Sequence, residues 1–413
     1  MVPPPNILWV LTTQWRAQAC GYAGDPNACT PQLDALAAAG ISYTQAVTPH
    51  PFGPFARAAL LTGLPSPENG VRNYFDPLPA DARTIAHALN EYDYTTAFFG
   101  KWHLAERDPG APLVGEAHAR IIVPEKRRGG FGFWEGFESG FLLNDPWLHG
   151  TRLPEPQRFT GYQSDIVCDR AAEWLSEQDA PRWFGVVSLE APHPPYDAPT
   201  PGMDRRLSDE IILAPNVPRG SEVEAKARAE LPGYYAQIEG TDRAIGRLVA
   251  AVDAAEAKRG RPAPIVVVTS AHGDMHGAHG LFRKGWPHEE SVRVPLVIRR
   301  AGGMPLPPAN TPVSLLDLPY WTLAWAQRKS DIVPREWVAI SMPSVVALQY
   351  QCERIWRGVR TSTRKLILNA DGSPWFLFDL EHDPLEQVNL ALDPAHHAEI
   401  ERLAKLGDLH LRA

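Results

Sequence analysis

Cysteine is scarce in this chain: four in 413 residues, at Cys20, Cys29, Cys168 and Cys352, far apart and without C-x-x-C spacing. That pattern argues against a disulfide scaffold, a zinc knuckle or a redox pair, and buried thiols are expected. Long apolar runs are also missing, so no segment has the length needed to cross a bilayer and no membrane partner is expected. Excess positive charge is missing as well: the formal net charge is -8 and the Lys and Arg residues are scattered, which disfavours nucleic acid. The N-terminal "MVPPPNILWVLTT" lacks the basic region of a secretory signal, and a cytoplasmic location is expected. What remains, 44% hydrophobic and 21% charged residues, is the composition of a globular, soluble chain.

Apolar periodicity gives the organisation. "NILWVL" (6–11) is a buried-strand run and "PQLDALAAAGISY" (31–43) is helical, ending at Gly40. Helix then strand recurs at 83–93 and 94–100, at 166–178 and 183–191, and at 223–258 and 263–271. This alternation predicts an α/β fold, a large mixed and mostly parallel sheet sandwiched by helices. Residues 105–162, rich in Gly, Pro and aromatics ("RRGGFGFWEGFESGF"), read as a long loop region shaping a pocket or as a structural excursion. From 350 onward, short strands around "ADGS" and a last helix, "AHHAEIERLAKL", predict a small antiparallel α+β subdomain. The expected division is 1–345 and 346–413.

In open parallel sheets, ligands collect beyond the carboxyl ends of the strands. Those positions hold Thr12, Thr13 and Gln14; Lys101 and His103; His193; and Ala271, His272, Asp274 and His276. "HPFGPFARAALLTG" (50–63) adds Arg57 at a helix start, and "FRKGWPHEE" adds Lys284 and His288. Each residue alone reads as structural or solvated. Together, Arg57, Lys101 and Lys284 around several imidazoles predict a concave cationic site for sulfate, phosphate, phosphonate or carboxylate. The aromatic loops at 129–162 and "WPHEE" at 286–290 are expected either to line that pocket or to pack.

At this point the chain resembles the sulfatases, a branch of the alkaline phosphatase superfamily, and is similar to arylsulfatases and phosphonate monoester hydrolases. The resemblance is carried by "PNILWVLTTQWR", "TPQLDALAAAGISYTQAVT", "RAALLTG", "GKWHLA", "APHPPYDAP", "TSAHGDMHGAHGLFRKGWPHEESVRVPLVIR" and "VRTSTRKLILNADGSPWFLFDLEHDPLEQVNL", in family order over nearly the whole chain. It implies a divalent cation held by carboxylates and a formylglycine made from Cys or Ser in C-x-P-x-R. By the same resemblance Arg57 matches the motif Arg, Lys101 and His103 the "GKWH" pair, His193 the leaving-group His and Lys284 the second Lys.

The other half of the family pattern is substituted. Thr12 and Thr13 stand at the acidic positions after the first strand and Ala271 at the later Asp, leaving His272 as the one matching ligand. The nucleophile position falls on Gly53, or on Phe52 with a one-residue insertion; "CTPQL" at Cys29 lacks the motif Arg. No resident metal and no cofactor are therefore expected, with a rebuilt transition-metal site at His272, His276 and His279 as the alternative.

Three functions follow. One is an enzyme with altered, metal-free chemistry (hydrolase, lyase or decarboxylase), in which Arg57, Lys101, Lys284, Thr12 and His288 bind a small anion. His103, His193 and His272 then act as acid and base, Lys101 and Lys284 take part, and Thr13 supplies a hydroxyl. Another is an inactive relative that binds an anionic ligand or a protein partner. The last is a conventional sulfuric or phosphonic ester hydrolase. Sulfatase-like proteins often pair, and a homodimer is left open.

Overall fold

The strands, in chain order, are β1 (Ile7–Thr12), β2 (Ile41–Ser42), β3 (Ala46–Val47), β4 (Thr95–Lys101), β5 (Phe133–Phe137), β6 (Trp147–Gly150), β7 (Gln157–Arg158), β8 (Trp183–Ser188), β9 (Ile265–Ser270) and β10 (Leu296–Arg299). They are followed by β11 (Val313–Ser314), β12 (Trp337–Met342), β13 (Trp356–Thr361), β14 (Arg364–Asn369) and β15 (Pro374–Asp379). The structure, a computed structural model, describes residues 4–200, 208–300, 306–329 and 332–409. One nine-stranded sheet runs in the order β2-β10-β9-β1-β8-β4-β5-β6-β7. Its centre is parallel from β9 through β5, and β10, β2, β6 and β7 pair antiparallel at the edges. The predicted α/β class is the observed one.

Strand alternation explains how helices cover both faces. On β1, Ile7, Trp9 and Leu11 join one apolar cluster, and Leu8 and Val10 join another, because successive side chains point to opposite sides of a sheet. The first cluster takes Phe55 from α2 (Gly53–Thr62), Leu89 from α3 (Ile85–Asn90) and Trp321 from a helix over Asp317–Gln327. The second takes Leu33 from α1 (Pro31–Ala39), Leu175 from Gln163–Glu177 and Leu248 from the long helix Glu222–Lys258. Among the described residues no helix is long and apolar enough to cross a membrane.

The region 105–162, expected as loop, contributes β5, β6 and β7 to this sheet. Glycines hide the strand signal there. A Cβ on Gly136 would collide with the Gly100 carbonyl oxygen on β4, so this residue permits close backbone approach at the cost of side-chain alternation.

The smaller sheet, β12-β13-β14-β15, is antiparallel throughout, and its first strand lies ahead of residue 346. Gly372, at positive φ, turns β14 into β15. Ile400 and Leu403 of the last helix (His397–Leu406) pack on Val359, Leu366 and Leu377. This layer reaches the larger one through Gln351, whose Oε1 accepts the Lys284 backbone N–H at 3.1 Å, and through a buried charged cluster. There Lys365 and Arg360 each meet Glu289 at 2.9 Å, and Lys365 also pairs with Glu386.

Candidate functional site

The parallel strands β1, β4, β8 and β9 end on one side of the sheet, and the polar residues that follow them meet there. Helix α2 arrives from the flank. Its sequence GPFARAALLT favours helix once Pro54 has set the first turn, and Gly63 ends it in the left-handed region. Phe52 precedes it in extended conformation and offers no side-chain cap, so the first N–H groups of the helix have no side-chain acceptor. A cavity of about 80 Å³ is lined by Thr13, Gly53, Lys101, His103, His193, His272 and Lys284, and its wall also takes in Tyr74, Phe141, Pro194, Arg283, Leu348 and Gln351.

Arg57 lies one turn along α2, fully buried. Its Nη2 donates to Thr13 Oγ1 at 2.7 Å and to Ser188 Oγ at 3.4 Å, while Nε and Nη1 have no partner. Burial lowers its pKa to about 10, against the pull of Glu190 and Glu138. Lys101 Nζ pairs with Glu190 at 2.6 Å. Burial outweighs that carboxylate and lowers Lys101 to about 8. Lys284 Nζ donates to Gln14 Oε1 and, at 2.9 Å, to His193 Nε2; burial and then Lys101 hold its pKa well below the usual lysine value.

The three imidazoles share one tautomer, with the proton on Nδ1, but differ in which ring nitrogen their neighbours leave free. His193 Nδ1 lies 2.8 Å from the Pro194 carbonyl, and a carbonyl only accepts, so Nδ1 carries the proton and Nε2 receives Lys284. His272 Nδ1 likewise donates to the Gly273 carbonyl at 2.9 Å, which leaves a lone pair on its unpartnered, buried Nε2. His103 reaches the same tautomer from its other nitrogen. Arg107 Nη1 donates to its Nε2 at 2.9 Å, so the proton sits on Nδ1, which is buried without a partner. All three are held neutral, with pKa values well below the ordinary one; burial is the main cause and the neighbouring cations add to it.

The space above Gly53 is where these groups converge. A Cβ on Gly53 would stand 2.9 Å from His103 Nδ1 and 3.6 Å from Arg57 Nη1, both of them unpartnered donors. Phe52, the other register for the nucleophile position, packs against Phe55 and Tyr74 instead. Four residues around this space, Gln14, His103, Phe141 and Arg283, have φ between 51° and 68°, a region that non-glycine residues visit seldom and one that can mark a functional site.

Several expectations need correction. His288 is remote from the cavity: its ring packs on His279, Phe376 and Phe378, because "PHEE" feeds the buried cluster around Glu289. Trp286 Nε1 donates to the Phe282 carbonyl, so "WPHEE" is packing. Of the aromatic loop, Phe141 lines the cavity and stacks on His193 at 4.4 Å, whereas Phe131 and Trp134 belong to the core. Thr12 Oγ1 donates to the Thr269 carbonyl, and Thr13 Oγ1 to that of Leu189 at 2.8 Å, so neither hydroxyl proton is free for the cavity. His272, His276 and His279 are not brought together. His276 lies against Tyr234 and Tyr196, and His279 groups with Glu290 and Glu386.

Sequence reasoning missed Glu190, Arg107, Glu138 and Tyr74. Glu190 was legible: β8 ends at Ser188, and taking the strand to 191 hid a residue that stands beyond its carboxyl end. Asp274, singled out without a role, anchors the opposite wall. It accepts from Gln14 Nε2, Tyr196 Oη and the N–H groups of His276 and Arg283, and His276 and Arg283 overcome burial to hold it well below the carboxylate range.

A wider cavity of about 480 Å³ shares Phe141, His193, Pro194 and Arg283 with the first, and adds Leu113, Val114 and Tyr196.

Comparison with known proteins places this geometry in a family. The family model described as Sulfatase matches residues 5–328. The ulvan-active sulfatase of Formosa agariphila is 32% identical over 98% of this chain and 82% of its own length. A solved Bacteroides fragilis protein assigned to the sulfatases has a TM-score of 0.81 at 23% identity, covering 99% of this chain and 96% of its own. The phosphonate monoester hydrolase of Agrobacterium radiobacter has a TM-score of 0.69 at 20% identity, over 97% and 94%.

Proposed function

The chain belongs to the sulfatase family of the alkaline phosphatase superfamily, and from that premise we propose a hydrolase of small anionic esters that works without resident metal or formylglycine. The observation that carries this reading is the pair of buried, unpartnered donors, Arg57 Nη1 and His103 Nδ1, facing the space over Gly53. Unsatisfied buried donors are costly unless a ligand meets them, and an oxyanion does so. Lys101 and Lys284 supply the remaining positive charge.

The family's metal does not fit these residues. A hard divalent cation takes several oxygen ligands, carboxylates prominent among them. Thr12 and Thr13 donate to backbone carbonyls, Ala271 has no donor atom, and the Arg57 guanidinium occupies the neighbourhood. His272 Nε2 is the one available lone pair, which suits a general base better than a lone ligand. In this reading His272 Nε2 takes a proton from water and the water oxygen bonds the sulfur or phosphorus. The ester oxygen then leaves with its electron pair and takes a proton from Lys284. The organic part of the ester occupies the wider cavity beside Phe141 and Tyr196.

The test is metal analysis of the purified chain, followed by turnover of aryl sulfates, phosphonates and phosphate diesters by wild type and His272→Ala. Substoichiometric metal, turnover by wild type and loss of turnover at retained sulfate binding are expected. One divalent ion per chain, or turnover that survives His272→Ala, overturns the proposal. Sulfate binding with no ester turned over selects the second reading, a non-catalytic anion binder, which the absent side chain at Gly53 favours.

A further inference from the structure

Arg107 takes no part in the scheme above, yet its side chain is completely buried beside the site. Nε lies 3.3 Å from Glu138 Oε1, Nη2 donates to the Tyr74 carbonyl, and the guanidinium sits 4.5 Å over the Tyr74 ring. Glu138, also buried, accepts the N–H groups of Leu104 and Ala105 at 3.2 and 3.0 Å. Its carboxylate is thereby tied to the turn that begins at His103, itself at φ 59°. A guanidinium has no acceptor, so whatever faces Nη1 must accept. What faces it, at 2.9 Å, is His103 Nε2.

We propose that Glu138 and Arg107 form a positioning relay that locks His103 in its Nδ1–H tautomer, making it an oxyanion donor and restricting the site to ligands that present an unprotonated oxygen over Gly53. The class so selected is esters or acids ionised at neutral pH: sulfate monoesters, phosphonates and carboxylates. A ligand that offers a hydroxyl proton at that point meets the Nδ1–H and the Arg57 guanidinium, both donors, and is rejected as a polar mismatch. This inference rests on the reading of the cavity as an oxyanion site, and the experiment separates the two.

Nitrogen NMR of the full chain labelled with 15N-histidine, with the His103 signals assigned by their loss in His103→Gln, reads the tautomer without any ligand. Wild type is expected as Nδ1–H. Arg107→Met removes the donor and is expected to shift His103 toward the Nε2–H form, with sulfate affinity about tenfold lower, the scale of one charge-assisted hydrogen bond. Arg107→Lys restores a donor and is expected to keep the wild-type tautomer. An Nε2–H signal in wild type overturns the relay, as does Arg107→Met with tautomer and affinity unchanged. If Arg107→Met does not fold, the wild-type and Arg107→Lys spectra still decide. Wild type that shows Nδ1–H but does not bind sulfate leaves the relay standing and removes the oxyanion reading instead.

Discussion

Of the buried charged clusters among the described residues, one beneath the small sheet and one at the strand ends differ in what their polar atoms face. In the first, Glu289 receives Arg360 on both oxygens and Lys365 on one, and Lys365 also donates to the Pro287 carbonyl. Charge there joins two layers of structure. In the second, Arg57 Nε and Nη1, His103 Nδ1 and His272 Nε2 are buried with no partner and surround a cavity. Burial of charge is common to both, so it identifies neither as a site. Unanswered donors and acceptors around a cavity make the distinction.

The largest expected effect lies in the structural cluster. Lys365→Met leaves Glu386 without its cation, and breaking a buried pair from one side costs roughly 3–5 kcal/mol. Chemical denaturation should show that loss, with sulfate affinity of the folded protein unchanged. Arg57→Met is the counterpart. It removes a buried cation whose partners are two hydroxyls, so the denaturation midpoint should hold or rise while sulfate affinity falls at least about tenfold, or 1.4 kcal/mol. A loss of stability in Arg57→Met as large as that in Lys365→Met would erase the contrast.

How much of this contrast the chain displays in one dimension follows from the physics of each part. Strands buried on both faces print as uninterrupted apolar runs, and β1 and β9 stand where "NILWVL" and "APIVVVTSA" predict them. The strand-end rule gave Lys101, His103, His193 and His272, two further segments added Arg57 and Lys284, and all but Arg57 line the cavity that Arg57 adjoins. Arg107 and Glu138 had no comparable signal, because they lie in a glycine-rich stretch whose strands lack alternation. His288 shared the chemistry of a site residue but not its position, since "WPHEE" turns beneath the small sheet. Which ring nitrogen is left free, the difference between His103 and His272, depends on neighbours remote in sequence or on local turns, and periodicity carries no trace of either.

A smaller effect concerns pH. Lys101, lowered to about 8 chiefly by burial, is a cation below that value and neutral above it. An anion binds the cationic form, so sulfate affinity should weaken above pH 8 by up to about tenfold per unit. Calorimetric titration in buffers of different ionisation heat would show the matching proton uptake near pH 8. Affinity that stays flat from pH 7 to 9 would exclude Lys101 as the cation that matters.

The smallest expected effect is at His288. Its ring is buried among His279, Phe376 and Phe378, and its Nδ1 has no partner. That orphan atom raises the same question as the orphans over Gly53, but no cavity faces it that the charged site shares. His288→Phe keeps the aromatic volume and loses no bond at Nδ1, so stability should change by less than about 1.5 kcal/mol and sulfate affinity should stay within about twofold. If the affinity instead falls as it does in Arg57→Met, then an unpartnered buried nitrogen marks a ligand site wherever it lies, and the shared cavity loses its place as the distinguishing feature.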